Sequence, residues 1–91
     1  MGVDAMRRYF ARDAESDLGH GVVYMEFDGE TATRQVERYG ERWFDSRTEY
    51  HPEIGPGLVD QPLSALGLGP ADEITEEQFE EAWRQSVQSM R

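Results

Sequence analysis

The sequence has two histidines, and imidazole is the side chain that most readily takes part in acid–base catalysis or metal binding near neutral pH. His51 lies between Glu49 and Glu53, so an imidazole and two carboxylates come close together in the chain. Neither His51 nor His20 has a second ligand at the helical spacing of a metal site. The sequence also contains no nucleophile elbow and no phosphate-binding glycine loop. It therefore predicts no catalytic residue, no metal site and no cofactor.

Two arginines on a predicted strand form the candidate ligand-binding set. Arg34 and Arg38 alternate with Val36 and so share one side of that strand. They could bind an anion on a concave sheet face, and His51 completes this set. The other interpretation pairs Arg34 with Glu26 on the neighbouring strand, its aliphatic stem lying along apolar surface. We favour the ion pair.

A run of carboxylates near the C-terminus is the candidate partner-binding site. No basic residue interrupts it, and Arg84 is the nearest cation that could relieve its charge. Such a run is typical of a solvated helix start, where the helix dipole favours negative charge. It could also steer a basic protein towards the surface. We call it the acidic group, and it consists of Asp72, Glu73, Glu76, Glu77, Glu80 and Glu81.

The net charge of −10 is concentrated in the second half of the chain, where residues 48–91 hold nine acids and only two arginines. Nucleic acids and anionic membranes bind through clustered basic residues, so neither is expected as a partner. All nine basic residues are arginine, a bias that we attribute to a GC-rich bacterial genome. The chain has no cysteine and no membrane-length apolar run, which favours a cytoplasmic location. The oligomeric state stays open.

The first half of the chain has the alternation and turn signals of a β-meander over residues 6–45. Asp28-Gly29 and Gly40-Glu41 are hairpin turns that should fix its register. We interpret residues 1–5 as a flexible leader and Asp13–Gly21 as a loop. The first strand could also be a short helix, and we favour the strand. The predicted strands cover residues 6–12, 22–27, 31–39 and 42–45.

The second half is predicted to cover the sheet. Residues 46–73 form an ordered loop with a short helical turn, because their leucines are too apolar for a free linker. A helix over 75–90 follows, with Thr75 and Gln78 as a capping box and an apolar stripe that includes Trp83. We predict that Trp83 is buried between helix and sheet. The expected architecture is one α+β domain, residues 1–91, with an antiparallel three- to four-stranded meander. One of its faces is covered by the long C-terminal helix and the loop before it.

Three segments of the chain carry a resemblance to a known family. They are Tyr-Met-Glu-Phe-Asp at 24–28, Arg-Gln-Val-Glu-Arg-Tyr at 34–39, and the segment 73–83 that begins Glu-Ile and ends Ala-Trp. Together they resemble a family of small uncharacterised bacterial α+β domains, which tends to have Glu at the position of Gln78. The resemblance implies a compact α+β domain and transfers no catalytic residues.

Charge without catalytic chemistry favours a binding function. We expect a non-enzymatic cytoplasmic protein that binds a basic protein partner, as an inhibitor, an antitoxin-like immunity protein or an adaptor does. One alternative is a small-ligand-binding or enzymatic domain that uses Arg34, Arg38 and His51. Another is an oligomer-forming structural protein with an exposed apolar stripe.

Overall fold

The computed structural model describes residues 7–89, which form a five-stranded antiparallel sheet and one α-helix. The predicted α+β class, with its antiparallel meander and C-terminal helix, is confirmed. The elements of the sheet and helix are β1 (Arg7–Ser16), β2 (Gly19–Asp28), β3 (Thr31–Tyr39), β4 (Arg42–Asp45), β7 (Glu73–Ile74) and α1 (Glu76–Ser89). The strand order is β4-β3-β2-β1-β7. The short strands β5 (Tyr50–His51) and β6 (Gly55–Pro56) pair separately, and 3₁₀ turns occupy Leu63–Ala65 and Pro70–Asp72.

The two predicted glycine turns close the β2–β3 and β3–β4 hairpins. Gly29 has φ 64° and Gly40 has φ 65°, in the left-handed region that glycine adopts without a steric penalty. A bulge between Glu26 and Phe27 shifts the β2–β3 register near its turn. The predicted leader 1–5 and Met6 lie outside the described residues.

The predicted loop over Asp13–Gly21 is wrong, because β1 continues to Ser16 and β2 begins at Gly19. Asp13 pairs with Val22 and Ser16 with Gly19, so this part of the hairpin is held by a regular antiparallel ladder. Most side chains here are exposed, and hence no apolar alternation marks them as strand. The hydrogen-bonding partner in β2, rather than the local sequence of β1, makes the segment extended.

Helix α1 packs on one face of the sheet, and its start follows the predicted signals. The amide N–H of Gln78 donates to the Thr75 hydroxyl at 3.1 Å, and the Thr75 N–H donates to the Gln78 side chain at 2.8 Å. This reciprocal pair confirms the capping box. Phe79 is fully buried and lies in the core with Tyr9 and Val36. Trp83 packs against that core, as predicted, but it is only half-buried, so the prediction that it is buried is wrong in extent.

The loop between β4 and β7 covers the opposite face of the sheet. Adjacent strand residues point to opposite faces, so Phe10 lies on the other side from Tyr9. Phe10, Met25 and Phe27 form a second core there, and leucines of residues 58–68 pack against it. Our expectation that loop and helix share one face is wrong. Leucine content predicts burial, but it does not indicate which face of a sheet is covered.

Candidate functional site

Arg34 lies at the centre of the most connected polar cluster in the described residues. Its guanidinium donates to both carboxylate oxygens of Glu26, at 2.9 and 2.7 Å, and to Glu80 of α1 at 2.6 Å. The same group lies 4.9 Å from the ring centroids of Phe79 and Trp83, within cation–π range. The favoured interpretation, an ion pair with Glu26, is therefore confirmed. The guanidinium fastens the helix to the sheet.

Glu26 is buried on β2 and is stabilised as an anion. The hydrogen bonds from Arg34 lower its pKa to about 2, against the opposing effect of burial, and the Thr33 hydroxyl donates a further bond at 2.7 Å. Arg7 lies 3.8 Å from the same carboxylate. Because the carboxylates of Glu26 and Glu80 both bind the Arg34 guanidinium, Arg34 has little capacity left to bind an external anion.

Most of the acidic group is engaged within the chain. Arg8 donates to both carboxylate oxygens of Glu73, which lowers the pKa of Glu73, and Glu80 pairs with Arg34. Glu81 accepts hydrogen bonds from Gln85 and Arg84. The side chain of Asp72 accepts the Gly69 N–H at 2.9 Å in a 3₁₀ turn.

Glu76 and Glu77 are the members of the acidic group that stay exposed and that form no ion pair with any residue in 7–89. They occupy the first turn of α1. Glu76 also borders a polar cleft with Arg7, Arg8 and Tyr9 of β1, beside β7. The exposed part of the acidic group therefore lies where β7 leads into the helix.

The structure does not bring the candidate set of Arg34, Arg38 and His51 into one site. Arg38 lies over the ring of Trp43 at 5.5 Å. His51 is buried, its Nε2 bonded to the backbone carbonyl oxygen of Asp45 at 2.9 Å, and it packs edge-on against an aromatic ring of β4. Each of the three side chains thus has separate partners.

A surface that the sequence analysis did not identify lies at the far end of the β1–β2 hairpin. Asp13 and Glu15 are exposed, and both lie beside His20 of β2, at 3.8 and 2.8 Å. The hydrogen bond that the His20 ring donates to the Glu15 carboxylate raises the pKa of His20. On the other side of β1 is an open cavity of about 280 Å³ with an apolar floor that includes Val23 and Met25. The sequence analysis places Asp13 and Glu15 in a loop, because no apolar alternation in this stretch indicates a strand.

Two features that often indicate a function are absent from residues 7–89. No three His, Asp or Glu side chains among them cluster closely enough to hold a metal ion. Nor does this part of the chain include a helix with the length and apolar character needed to cross a bilayer.

Comparison with known proteins gives no relative from which a function could be transferred. No family model, no curated protein and no solved structure matches the chain. The resemblance to a family of small bacterial domains therefore stays a prediction, and any function must be argued from the chain's own residues.

Proposed function

We propose that this chain is a non-enzymatic, cytoplasmic bacterial protein that binds a basic protein partner, in the manner of an inhibitor, an antitoxin-like immunity protein or an adaptor. The proposal rests on charge. The chain has a net charge of −10, and no group of His, Asp and Glu side chains in the described residues could hold a metal ion. A field of this sign raises the encounter rate with a positively charged protein and disfavours acidic ones.

The observation that carries the proposal is how the chain uses its arginines. Six of them lie within ion-pair distance of a carboxylate of the same chain: Arg7, Arg8, Arg34, Arg42, Arg47 and Arg84. Arg12 donates to the Leu66 carbonyl oxygen at 2.8 Å. Most of the positive charge within residues 7–89 is thus engaged internally, whereas Glu76 and Glu77 stay exposed at the start of α1. This surface is therefore the one we assign to partner steering.

The test begins with capture of a partner from a bacterial lysate and continues with association kinetics on the purified partner. We expect a basic protein. The double variant Glu76→Lys/Glu77→Lys should slow association about ten-fold at low ionic strength, because complementary charge acts mainly on the on-rate. Glu80 is left unchanged, since its carboxylate holds Arg34.

The matched control is Glu49→Lys/Asp60→Lys, which changes the net charge by the same amount at exposed positions in the loop. It should slow association much less than the variant of the helix start. An acidic partner, or equal rates for wild type and the Glu76→Lys/Glu77→Lys variant, would remove the proposal.

A further inference from the structure

The outer edge of β1 is paired along only part of its length. Strand β7 pairs with Tyr9 and Phe10, and no strand in residues 7–89 pairs with Ala11–Ser16 on that side. In an antiparallel strand, alternate residues direct their N–H and C=O groups to each edge. The open part of β1 therefore presents unpaired backbone donors and acceptors to which another strand can add.

The two sides of this open edge differ in chemistry. Asp13 and Glu15 alternate along one side, with 82% and 77% of their side chains exposed. Arg12 and Ala14 alternate along the other side, where they border the cavity of about 280 Å³. The floor of that cavity includes Val23 and Met25 of β2 and Val59 and Leu66 of the loop. The same cavity is also lined by Glu15 and by Gln35, Glu37 and Tyr39 of β3. An added strand would thus meet carboxylates on one side and, on the other, a cavity in which apolar side chains lie beside polar ones.

A second copy of the chain is a poor fit to this edge. Residues opposite each other in an antiparallel pair point to the same face, so a two-fold pair joins positions of the same parity. Centred on Ala14, such a pair places Asp13 opposite Glu15. A pair centred on Asp13, on Glu15 or on Arg12 places that central residue opposite the same residue of the second copy. Each of these registers thus sets like charges against each other, which is the usual defence of an edge against self-association. A pair centred on Ala11 would need Tyr9 and Phe10, which already pair with β7.

We propose that an extended segment of a basic protein adds to β1 along Ala11–Ser16, with basic residues alternating with apolar ones. Its basic side chains face Asp13 and Glu15, and its apolar side chains face the cavity beside Ala14. This proposal rests on the proposed function, which it deepens by naming the form of the partner and the place where it binds. The short β7 pairs only with Tyr9 and Phe10 and leaves the site open.

The probe is a capped peptide of alternating lysine and valine, matched in length to the open edge. Two peptides serve as controls: one with glutamate in place of lysine, and one with the original side chains but methylated backbone nitrogens. Titration at low salt should give binding of the lysine peptide alone, at least about ten-fold tighter than either control. Slower amide exchange should appear within Ala11–Ser16.

The variant Asp13→Lys/Glu15→Lys should weaken binding of the lysine peptide about ten-fold or more, because it reverses the charge that faces the peptide. Both side chains are exposed, so the fold should be retained. Glu49→Lys/Asp60→Lys is the control of equal charge change, and it should leave binding within about three-fold.

The outcomes separate the two proposals. If the methylated peptide binds as well as the lysine peptide, or if both double variants weaken binding equally, edge addition is wrong while binding of basic partners stands. If the glutamate peptide binds as tightly as the lysine peptide, the proposed function itself fails. Absence of any peptide binding overturns the edge site and leaves the captured partner to test the proposed function.

Discussion

Arg34 joins β3, β2 and α1 because its planar guanidinium offers donors in several directions at once. Glu26 and Glu80 accept from it, and the rings of Phe79 and Trp83 lie against it. The position of Arg34 on its strand suggests a free anion-binding residue, but the side chain instead connects the sheet to the helix. The pair with Glu26 was predictable from the adjacent strands. The contact with Glu80 was not, because it depends on where the helix crosses the sheet.

The Glu26 carboxylate should make the free energy of unfolding depend on pH in the acid range. Its pKa is lowered from 4.5 to about 2, so it stabilises the fold fully above pH 4.5 and loses that effect as pH falls towards 2. A shift of this size corresponds to about 3 kcal/mol. Urea unfolding of wild type and Glu26→Gln from neutral to acid pH should give curves that converge as pH falls. Parallel curves would show that the carboxylate is not held as an anion by Arg34.

Reversing the charge of Glu80 should lower the free energy of unfolding more than reversing the charge of Glu77, which lies three residues earlier in α1. Glu80→Lys places a cation against Arg34 and removes a contact between helix and sheet, so it should clearly lower the free energy of unfolding. Glu77 lies on the exposed side of the helix, so Glu77→Lys should change the free energy of unfolding by only about 0.5 kcal/mol. Urea denaturation of the two variants measures the contrast. Equal effects would mean that Glu80 is not engaged by Arg34 in solution.

At the scale of elements, α1 is fastened to the sheet at both ends of its buried stripe. Glu80 reaches Arg34, and the hydroxyl of the buried Ser86 donates to Asp45 of β4 at 2.6 Å. Burial by itself would raise the pKa of Asp45, but hydrogen bonds from Arg47 and Ser86 outweigh it and the pKa is lowered. Both polar contacts fix the helix in one position on the sheet, which apolar packing alone specifies less strictly.

Phe79 should be worth more to stability than Trp83, although tryptophan is the larger side chain. Phe79 is 0% exposed, whereas Trp83 is half-buried. Phe79→Ala should cost about 3 to 5 kcal/mol, as large-to-small substitutions in cores do, and Trp83→Ala should cost less. Urea unfolding monitored by circular dichroism compares them. A larger loss for Trp83→Ala would contradict the arrangement of this core.

The Thr75 cap offers an isolated test of the helix start. Thr75→Ala removes the acceptor for the Gln78 amide and should lower the free energy of unfolding by about 1 kcal/mol, while Thr75→Gly should cost less. Chemical denaturation of both variants is the measurement. No loss in Thr75→Ala would show that the capping box contributes nothing to stability.

The contrast between α1 and the β1–β2 hairpin explains which elements the sequence predicts. The cap and stripe of α1 are local signals, so the predicted helix over 75–90 begins within a residue of the observed Glu76–Ser89, and its last residue, Met90, lies outside the described residues. The outer part of β1 has no such signal, since Asp13 is extended only because it pairs with Val22. The open edge and its cavity depend on that pairing, and so this candidate site could not be found from local patterns.

For the whole molecule, the sheet is buried by α1 on one face and by the loop on the other, so its edges are what it offers to a partner. The open edge of β1 carries the exposed carboxylates of Asp13 and Glu15. With a net charge of −10, the molecule should attract basic proteins from beyond contact distance. We therefore expect the protein to recognise its partner mainly through electrostatic attraction.

The most direct measurement of that claim is the association rate constant between the wild-type chain and its purified partner as a function of salt. The Debye length shortens from about 30 Å at 0.01 M to about 8 Å at 0.15 M. We expect the rate constant to fall about ten-fold or more over this range, with a much smaller change in the dissociation rate constant. A rate constant that does not change with salt would contradict electrostatic recognition of a basic partner.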